Sequence, residues 1–184
     1  MRVGRKTGIA TGIAAVGALA IGARWVLDRH PVGNKHVPEP ATRVELNDYL
    51  GLWHEIARYD QRFEKGCEAV TADYALRNDG KIDVLNRCRK RNGEWSEARG
   101  VAKVVDPVSN AKLKVRFFGP ISGNYWILDH APDYSWSIVG EPSGRYLWLL
   151  HRKADPGARE VKALIDRAKA LGYDTGMLVG AGLP

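Results

Sequence analysis

From residue 44 onward, apolar and polar residues alternate in short runs that are separated by clusters of Gly, Pro, Asn and Asp. Alternation over roughly four to eight residues predicts strands with one buried face. Eight such runs follow one another: LWHEIARYD, CEAVTADYAL, KIDVLNRC, EWSEARGVAKVVD, AKLKVRFFG, GNYWILDH, YSWSIVG and RYLWLLHR. Their short and regular spacing predicts an antiparallel meander, either closed as a barrel or folded as a sandwich.

After the eighth run the period changes from that of a strand to that of a helix. Apolar residues recur at helical spacing at Val161, Leu164, Ile165, Ala168 and Leu171. Asp155 before Pro156 is the predicted N-cap, and Gly172 is the predicted C-terminal cap. Because one amphipathic helix has a single apolar face, we expect it to pack on the outside of the sheet. A short extended segment around TGMLVG ends the chain.

Several strands carry aromatic and aliphatic residues on one face. These positions are Tyr74, Leu113, Val115, Phe117, Tyr146, Trp148 and Leu150. An eight-stranded barrel has an interior that is either filled by side chains or holds one small ligand. Periodicity does not separate the two, so both stay open at this point.

The N-terminus has the pattern of an export signal. Basic MRVGRK precedes seventeen residues without a charge, TGIATGIAAVGALAIGA, which end at Arg24. This is a signal peptide or, with Trp25 at the interface, an uncleaved membrane anchor, and either predicts export. We therefore divide the chain into a signal or anchor over 1–27, a proline-containing linker over 28–43 and one domain over 44–184.

Charge and cysteine usage narrow the function further. The net charge is +7, a surplus that suits a solubilising surface or contact with anionic lipids. Basic residues do not interleave with aromatics as in a nucleic-acid interface, so we expect no nucleic-acid partner. Cys67 and Cys88 flank the hairpin signal Asp79-Gly80 in the exported part, which predicts a disulfide. The two cysteines are off the register of that turn, so the bond requires a bulge or a diagonal placement.

The histidines and carboxylates do not form a recognisable catalytic or metal-binding pattern. The five histidines, at positions 30, 36, 54, 130 and 151, lack nucleophile, triad or metal spacing. We therefore predict a protein that is not an enzyme and that has no metal site and no cofactor. A haem held by His54 or His151 stays as an alternative, and a scan for a Soret band after haem addition tests it.

Three ordered motifs carry a resemblance to a known family. YLGLWHEIAR resembles the Gly-x-Trp signature of lipocalins, YWILDHAPDYSWSIVG resembles their second signature, and YLWLLHRK resembles their third. FEKGCEAVTADYALRNDGKIDVLNR and LKVRFFGP are similar to the bacterial lipocalin and apolipoprotein D branch. The resemblance runs from about Val44 to about Val179 and so covers the domain.

The resemblance implies an all-β fold, an eight-stranded antiparallel up-and-down barrel with one C-terminal α-helix packed outside. It implies that Trp53 closes one end of the barrel with Arg152 across its indole, and that Gly51 allows the backbone to approach there. Asp129 and Tyr134 belong to the second signature. These five residues are expected to be structural.

The resemblance also implies a lipid ligand, a fatty acid or a lysophospholipid, in envelope storage or transport. The implied cavity-lining residues are Tyr74, Asn86, Phe117, Tyr125, Tyr146 and Trp148. The runner-up is an envelope structural or interaction protein with a filled barrel. We expect a monomer or a homodimer, with membrane association through the N-terminal segment or a lipid surface.

One departure concerns attachment. Bacterial relatives are commonly lipoproteins anchored through an acylated cysteine after the signal peptide, whereas the first cysteine here is Cys67. We therefore expect no anchor of that kind, and either a periplasmic form or an inner-membrane anchor in its place.

Overall fold

A computed structural model describes residues 31–180 and Leu183. The predicted signal or anchor segment therefore lies outside the described residues. The strands are β1 (Gly51–Tyr59), β2 (Cys67–Leu76), β3 (Ile82–Lys90), β4 (Trp95–Val104), β5 (Lys112–Arg116), β6 (Gly123–His130), β7 (Trp136–Gly140), β8 (Leu147–His151) and β9 (Leu178–Val179). The helices are α1 (Leu46–Tyr49) and α2 (Ala158–Ala170), with 3-10 turns at Arg62–Glu64 and Thr175–Met177. No helix in this part of the chain is sufficiently long and apolar to span a membrane.

Strands β1 to β8 form one closed antiparallel barrel. Each strand pairs with the next along the chain, and β1 pairs with both β2 and β8. The first half of β1 lies against β2, while Arg58 and Tyr59 at its end pair with β9. A bulge between Glu55 and Ala57 shifts the register of β1 against β8. The predicted fold class, a closed eight-stranded barrel with an external helix, is confirmed.

Because the strands alternate in direction, their connections alternate between the two ends of the barrel. We call the end of residues 77–81, 105–111 and 131–135 the closed end. The other end, which we call the open end, has the connections 60–66, 91–94, 117–122 and 141–146. We use these names because the side chains at the two ends of the barrel differ.

Apolar side chains form two clusters on opposite sides of the barrel wall. The inner cluster includes Trp53, Tyr74 and Ile127. The outer cluster packs Leu164 and Ala168 of α2 against the sheet, so the helix covers the outside as predicted. Asp129 adds an ion pair to Arg167 of α2, with 2.8 Å between Oδ2 and Nε.

The helix begins later than the sequence predicted. It starts at Ala158 with Gly157 at the N-cap, and its first turn has a hydrogen bond from the Glu160 N–H to the Gly157 carbonyl. Asp155 and Pro156 therefore precede the helix. Pro156 is buried in the segment that leads to the helix, and this burial keeps it out of the first turn. The C-terminal cap is confirmed: Gly172 has a φ of +92°, the conformation that favours glycine after a helix.

The β2–β3 hairpin carries the predicted disulfide. Cys67 lies opposite Lys90 and Ala69 opposite Arg89, so Glu68 forms a bulge. This extra residue places Cys67 diagonal to Cys88, and the two are bonded with 5.5 Å between their Cα atoms. The disulfide is confirmed, and it joins the start of β2 to the end of β3 at the open end.

The chain enters the described domain beside the open end. The N–H groups of Gly33 and Asn34 both donate to the carbonyl of Gly144, in the β7–β8 connection. A side chain at Gly33 would overlap Tyr59, since a Cβ there would lie 2.2 Å from the Tyr59 hydroxyl. These residues, which the sequence placed in a linker, thus pack directly on the barrel.

Candidate ligand site inside the barrel

Trp53 and Arg152 close one end of the barrel. The Trp53 side chain is fully buried, its indole N–H donates to the Tyr49 carbonyl at 2.8 Å, and the Arg152 guanidinium lies 3.8 Å from the ring centre. The same guanidinium donates to the carbonyls of Asp48, Leu50 and Leu52. A single arginine therefore covers the indole and holds the chain that enters β1.

The structure assigns Gly51 a different role from the expected one. A Cβ at this position would meet only Arg152 Nη1, at an ordinary 3.7 Å, so a close approach of the backbone is not the reason for the glycine. Its φ is +87°, a conformation that costs an L-residue about 1–2 kcal/mol. Glycine is needed here for the backbone turn into β1.

Tyr134, a residue of the second signature, lies at the closed end beside Arg152. Its φ is +55°, its ring stacks on His130 with centroids 4.5 Å apart, and its hydroxyl accepts from the Glu45 N–H. The Tyr134 carbonyl also accepts from Nε of Arg152. Residues of all three signatures thus meet around Arg152.

Above Trp53, buried hydroxyl groups bond to one another. The Tyr125 hydroxyl lies 3.0 Å from that of Tyr49 and 2.9 Å from that of Tyr74, and Tyr49 also bonds Ser137. Burial raises the pKa of Tyr49 to about 12 and raises the pKa of Tyr125 well above its usual value. The hydroxyls therefore stay protonated and satisfy one another, which makes this layer a polar floor that does not need a ligand.

Toward the open end, the inner face of β4 carries small side chains. Ala98 and Ala102 face inward, as their partners Asn86 and Val115 do, with Gly100 between them. Solvent exposure falls along this row, from exposed at Ser96 to half-buried at Ala98 and to 2% at Ala102. Solvent exposure therefore decreases from the open end into the barrel along the inner face of β4.

The residues predicted to line the cavity share this inner space. Phe117 and Trp148 are partly buried and pack on the inner cluster, and Tyr146 stacks on Trp148 with ring centroids 5.9 Å apart. The Phe117 ring covers Gly100, where a Cβ would come within 2.8 Å of it. Asn86 lies opposite Ala72 and Ala98, and its Oδ1 is buried without a hydrogen-bond partner in the described part of the chain. Their contact with a ligand stays a prediction.

An ionic cluster inside the wall was missed from the sequence. Arg58 Nη1 lies 2.7 Å from Glu55 Oε1, and Arg58 Nε lies 2.8 Å from Glu64 Oε2; all three side chains are almost fully buried. Burial raises the pKa of both carboxyls, that of Glu64 to about 8, although Arg58 opposes the shift. Alternation from Trp53 would have placed Glu55 inward, whereas the bulge that redirects Arg58 has no local signal.

The histidines considered for haem do not face the interior. His54 pairs with His151 in register, one residue out of phase with the inward Trp53 and Leu150. His151 is buried beneath α2, where its Nδ1 accepts from the Lys153 N–H and its Nε2 lies 3.9 Å from Glu160. The geometry therefore gives no support to a haem inside the barrel on His54 or His151.

The family follows from a comparison of the sequence with known proteins. Residues 44–181 match the family description "Lipocalin-like domain". The chain belongs to the lipocalin family. Lipocalins are, in general, carriers of small hydrophobic ligands and not enzymes.

Named relatives agree with this membership. The lipocalin is 43% identical over 143 residues to the outer membrane lipoprotein Blc of Vibrio cholerae, with 77% of this chain and 84% of the relative covered. It is 34% identical over 115 residues to apolipoprotein D of Mus musculus, with 62% and 59% covered. Among solved structures, insecticyanin of Manduca sexta superimposes with a TM-score of 0.63 at 21% identity, covering 82% of this chain and 88% of that one, which supports the fold alone.

Proposed function

We propose that this lipocalin binds fatty acids or lysophospholipids inside its barrel and stores or transports them in the bacterial cell envelope. The observation that carries the proposal is the row of small inward residues on β4, which becomes progressively less exposed from Ser96 to Ala102. An acyl chain along this wall would lie among the Phe117, Val115 and Trp148 side chains. Each CH₂ group buried there would contribute about 0.8 kcal/mol.

The polar end of the ligand belongs nearer the open end than the floor. The hydroxyls of Tyr74 and Tyr125 already bond each other, whereas Asn86 Oδ1 is buried without a partner among the described residues. A buried acceptor of this kind favours a ligand group that donates a hydrogen bond, such as the glycerol hydroxyl of a lysophospholipid, whereas the carboxylate of a fatty acid would instead accept from Asn86 Nδ2. We therefore place Asn86 beside the head group, and Tyr74 and Tyr125 beneath the end of the acyl chain.

The relatives and the chain itself support a setting in the cell envelope. Blc proteins are named outer membrane lipoproteins, which supports an exported protein that works in the envelope. The disulfide supports an oxidising compartment. The role we propose is that of a carrier that does not change its ligand chemically.

A titration with a fluorescent fatty acid tests the proposal. The wild-type protein should give a saturable signal, and Asn86→Trp should abolish it with little change in melting temperature, because the indole fills the space of the ligand. Leu85→Trp is the control: Leu85 pairs with Asp73 and Arg99 on the outer face, so its replacement should leave binding intact.

Two results would contradict the proposal. A wild-type protein without a saturable signal would indicate a filled barrel, and normal binding by Asn86→Trp would remove Asn86 from the site. Native mass spectrometry of the wild-type protein purified from its own host would show independently which lipid it retains.

A further inference from the structure

We propose that the open end of the barrel is a docking surface for an anionic lipid bilayer, which it contacts through Trp95, Phe118 and Ile121. This surface comprises the connections 60–66, 91–94 and 117–122 with the adjoining Trp95. The proposal concerns the outside of the barrel and does not depend on which ligand the interior holds.

Large apolar side chains are exposed around this end. Trp95, at the tip of the β3–β4 hairpin, is 60% exposed, and Phe118 and Ile121 of the β5–β6 connection are 72% and 51% exposed. Indole rings favour the interface between lipid and water, and apolar side chains gain free energy when they enter it. These residues have the chemistry of a segment that inserts shallowly into a bilayer.

The exposed patch continues into the barrel. Phe117 packs on the inner cluster, while the next residue, Phe118, is exposed, and their rings are 6.5 Å apart. A bilayer in contact with Phe118 would therefore lie directly beside the wall that Phe117 provides. This continuity distinguishes the patch from scattered surface aliphatics, which are normal on soluble proteins.

The charges of this end complement an anionic surface. Its four connections contain the basic residues Arg62, Lys65, Arg91 and Arg145. The same connections contain four acidic residues, of which Glu64 and Glu141 are buried and only Asp60 and Glu94 are exposed, so the surplus of basic residues is confined to the surface. Anionic lipids attract such a surplus, whereas a second copy of the chain would bring the same positive charges face to face. The balance therefore favours a lipid surface over a dimer through this end.

Environment-sensitive labels on the full-length chain test the surface. Cys67 and Cys88 are disulfide-bonded, so a single new cysteine takes the label: Ser122→Cys beside Ile121, or Val108→Cys at the closed end as the matched control. Val108 is 79% exposed. Each labelled protein is mixed with vesicles of phosphatidylcholine alone or of phosphatidylcholine and phosphatidylglycerol in equal amounts. The label reports which surface enters the lipid, whatever residues 1–30 contribute to attachment.

We expect the label at position 122 to shift to the blue, and to be quenched by brominated acyl chains, only with the anionic vesicles. The label at position 108 should stay in water. Lys65→Glu with Arg91→Glu should weaken the response by at least about tenfold, since each basic residue near an anionic surface contributes about 1 kcal/mol. The control pair Lys103→Glu with Lys114→Glu, exposed on the side of the barrel, should change it much less.

Three results would overturn the proposal. The label at position 122 could stay in water with anionic vesicles, or the label at position 108 could respond equally. The two charge-reversal pairs could also act alike, which would show that net charge and not this surface controls the response. Circular dichroism of every variant separates these results from misfolding.

Discussion

The two ends of this barrel differ in how their side chains are used. At the closed end, Arg152 donates to five backbone carbonyls and covers Trp53. At the open end, the inward residues of β4 are small and partly exposed, and Trp95 and Phe118 are exposed on the outside. One end is a densely hydrogen-bonded structural unit, while the other leaves large apolar side chains exposed to solvent. We therefore expect the stability of the lipocalin to depend mainly on the closed end, and the proposed ligand to enter at the open end.

The two ends also differ in the sign of their exposed charge. The closed-end connections 77–81, 105–111 and 131–135 contain Arg77 and Lys81 against Asp79, Asp106 and Asp133, a slight acidic surplus. Exposed aliphatic residues also occur there, Val108 among them, but next to Asp106, where an anionic surface would be repelled. Exposed apolar residues alone therefore do not identify a docking surface for anionic lipid. The charges around them must also be favourable.

We expect the closed end to contribute much more to the free energy of unfolding than the open end. Trp53→Ala should lower the free energy of unfolding by about 3–5 kcal/mol, because it removes a buried indole and leaves Arg152 without its ring partner. Trp95→Ala, at the exposed open end, should change it by less than about 0.5 kcal/mol. Chemical denaturation of both variants measures the difference, and equal losses would contradict the division.

A smaller effect tests the backbone at the start of β1. Gly51→Ala should cost about 1–2 kcal/mol because an L-residue resists the positive φ at this position. Gly123→Ala is the control, since Gly123 has an ordinary φ and open space around it. If the two variants were equally stable, the conformation of Gly51 would not explain its presence.

The ionic cluster near the open end gives the smallest expected effect. Burial raises the pKa of Glu64 to about 8, so between the unfolded value of about 4.3 and that pKa the folded protein holds a proton that the unfolded chain has lost. Stability should therefore fall as the pH rises through this window, by about 1 kcal/mol after Glu55 and Arg58 readjust. Glu64→Gln should flatten the fall.

Melting temperatures of wild type and Glu64→Gln should be measured at several pH values between about 5 and 8.5, where the difference in stability is expected. Asp60→Asn is the matched control, because Asp60 lies in the same connection but is exposed. Parallel curves for wild type and Glu64→Gln would mean that Glu64 does not hold the proton.

Local sequence patterns were sufficient to predict the strands, the presence of the helix and several of the residues that face the interior. The period-two alternation and the turn residues are local, so they marked β1 to β8 and placed Phe117 and Trp148 on the same face as Leu113 and Leu150. The Cys67–Cys88 bond was also predictable, because the hairpin between them is a local feature. Three ordered signatures then decided between a sandwich and a barrel.

The polar contents of the barrel depend on tertiary contacts. Arg58 reaches the interior because a bulge between Glu55 and Ala57 changes the parity of β1, and Glu64 reaches it from a connection that has no strand pattern. The start of α2 at Ala158 depends on how Pro156 is buried, and not on the capping signal of Asp155. Bulges, loop paths and buried ion pairs depend on contacts between distant segments, so neighbouring residues along the chain carry no signal for them.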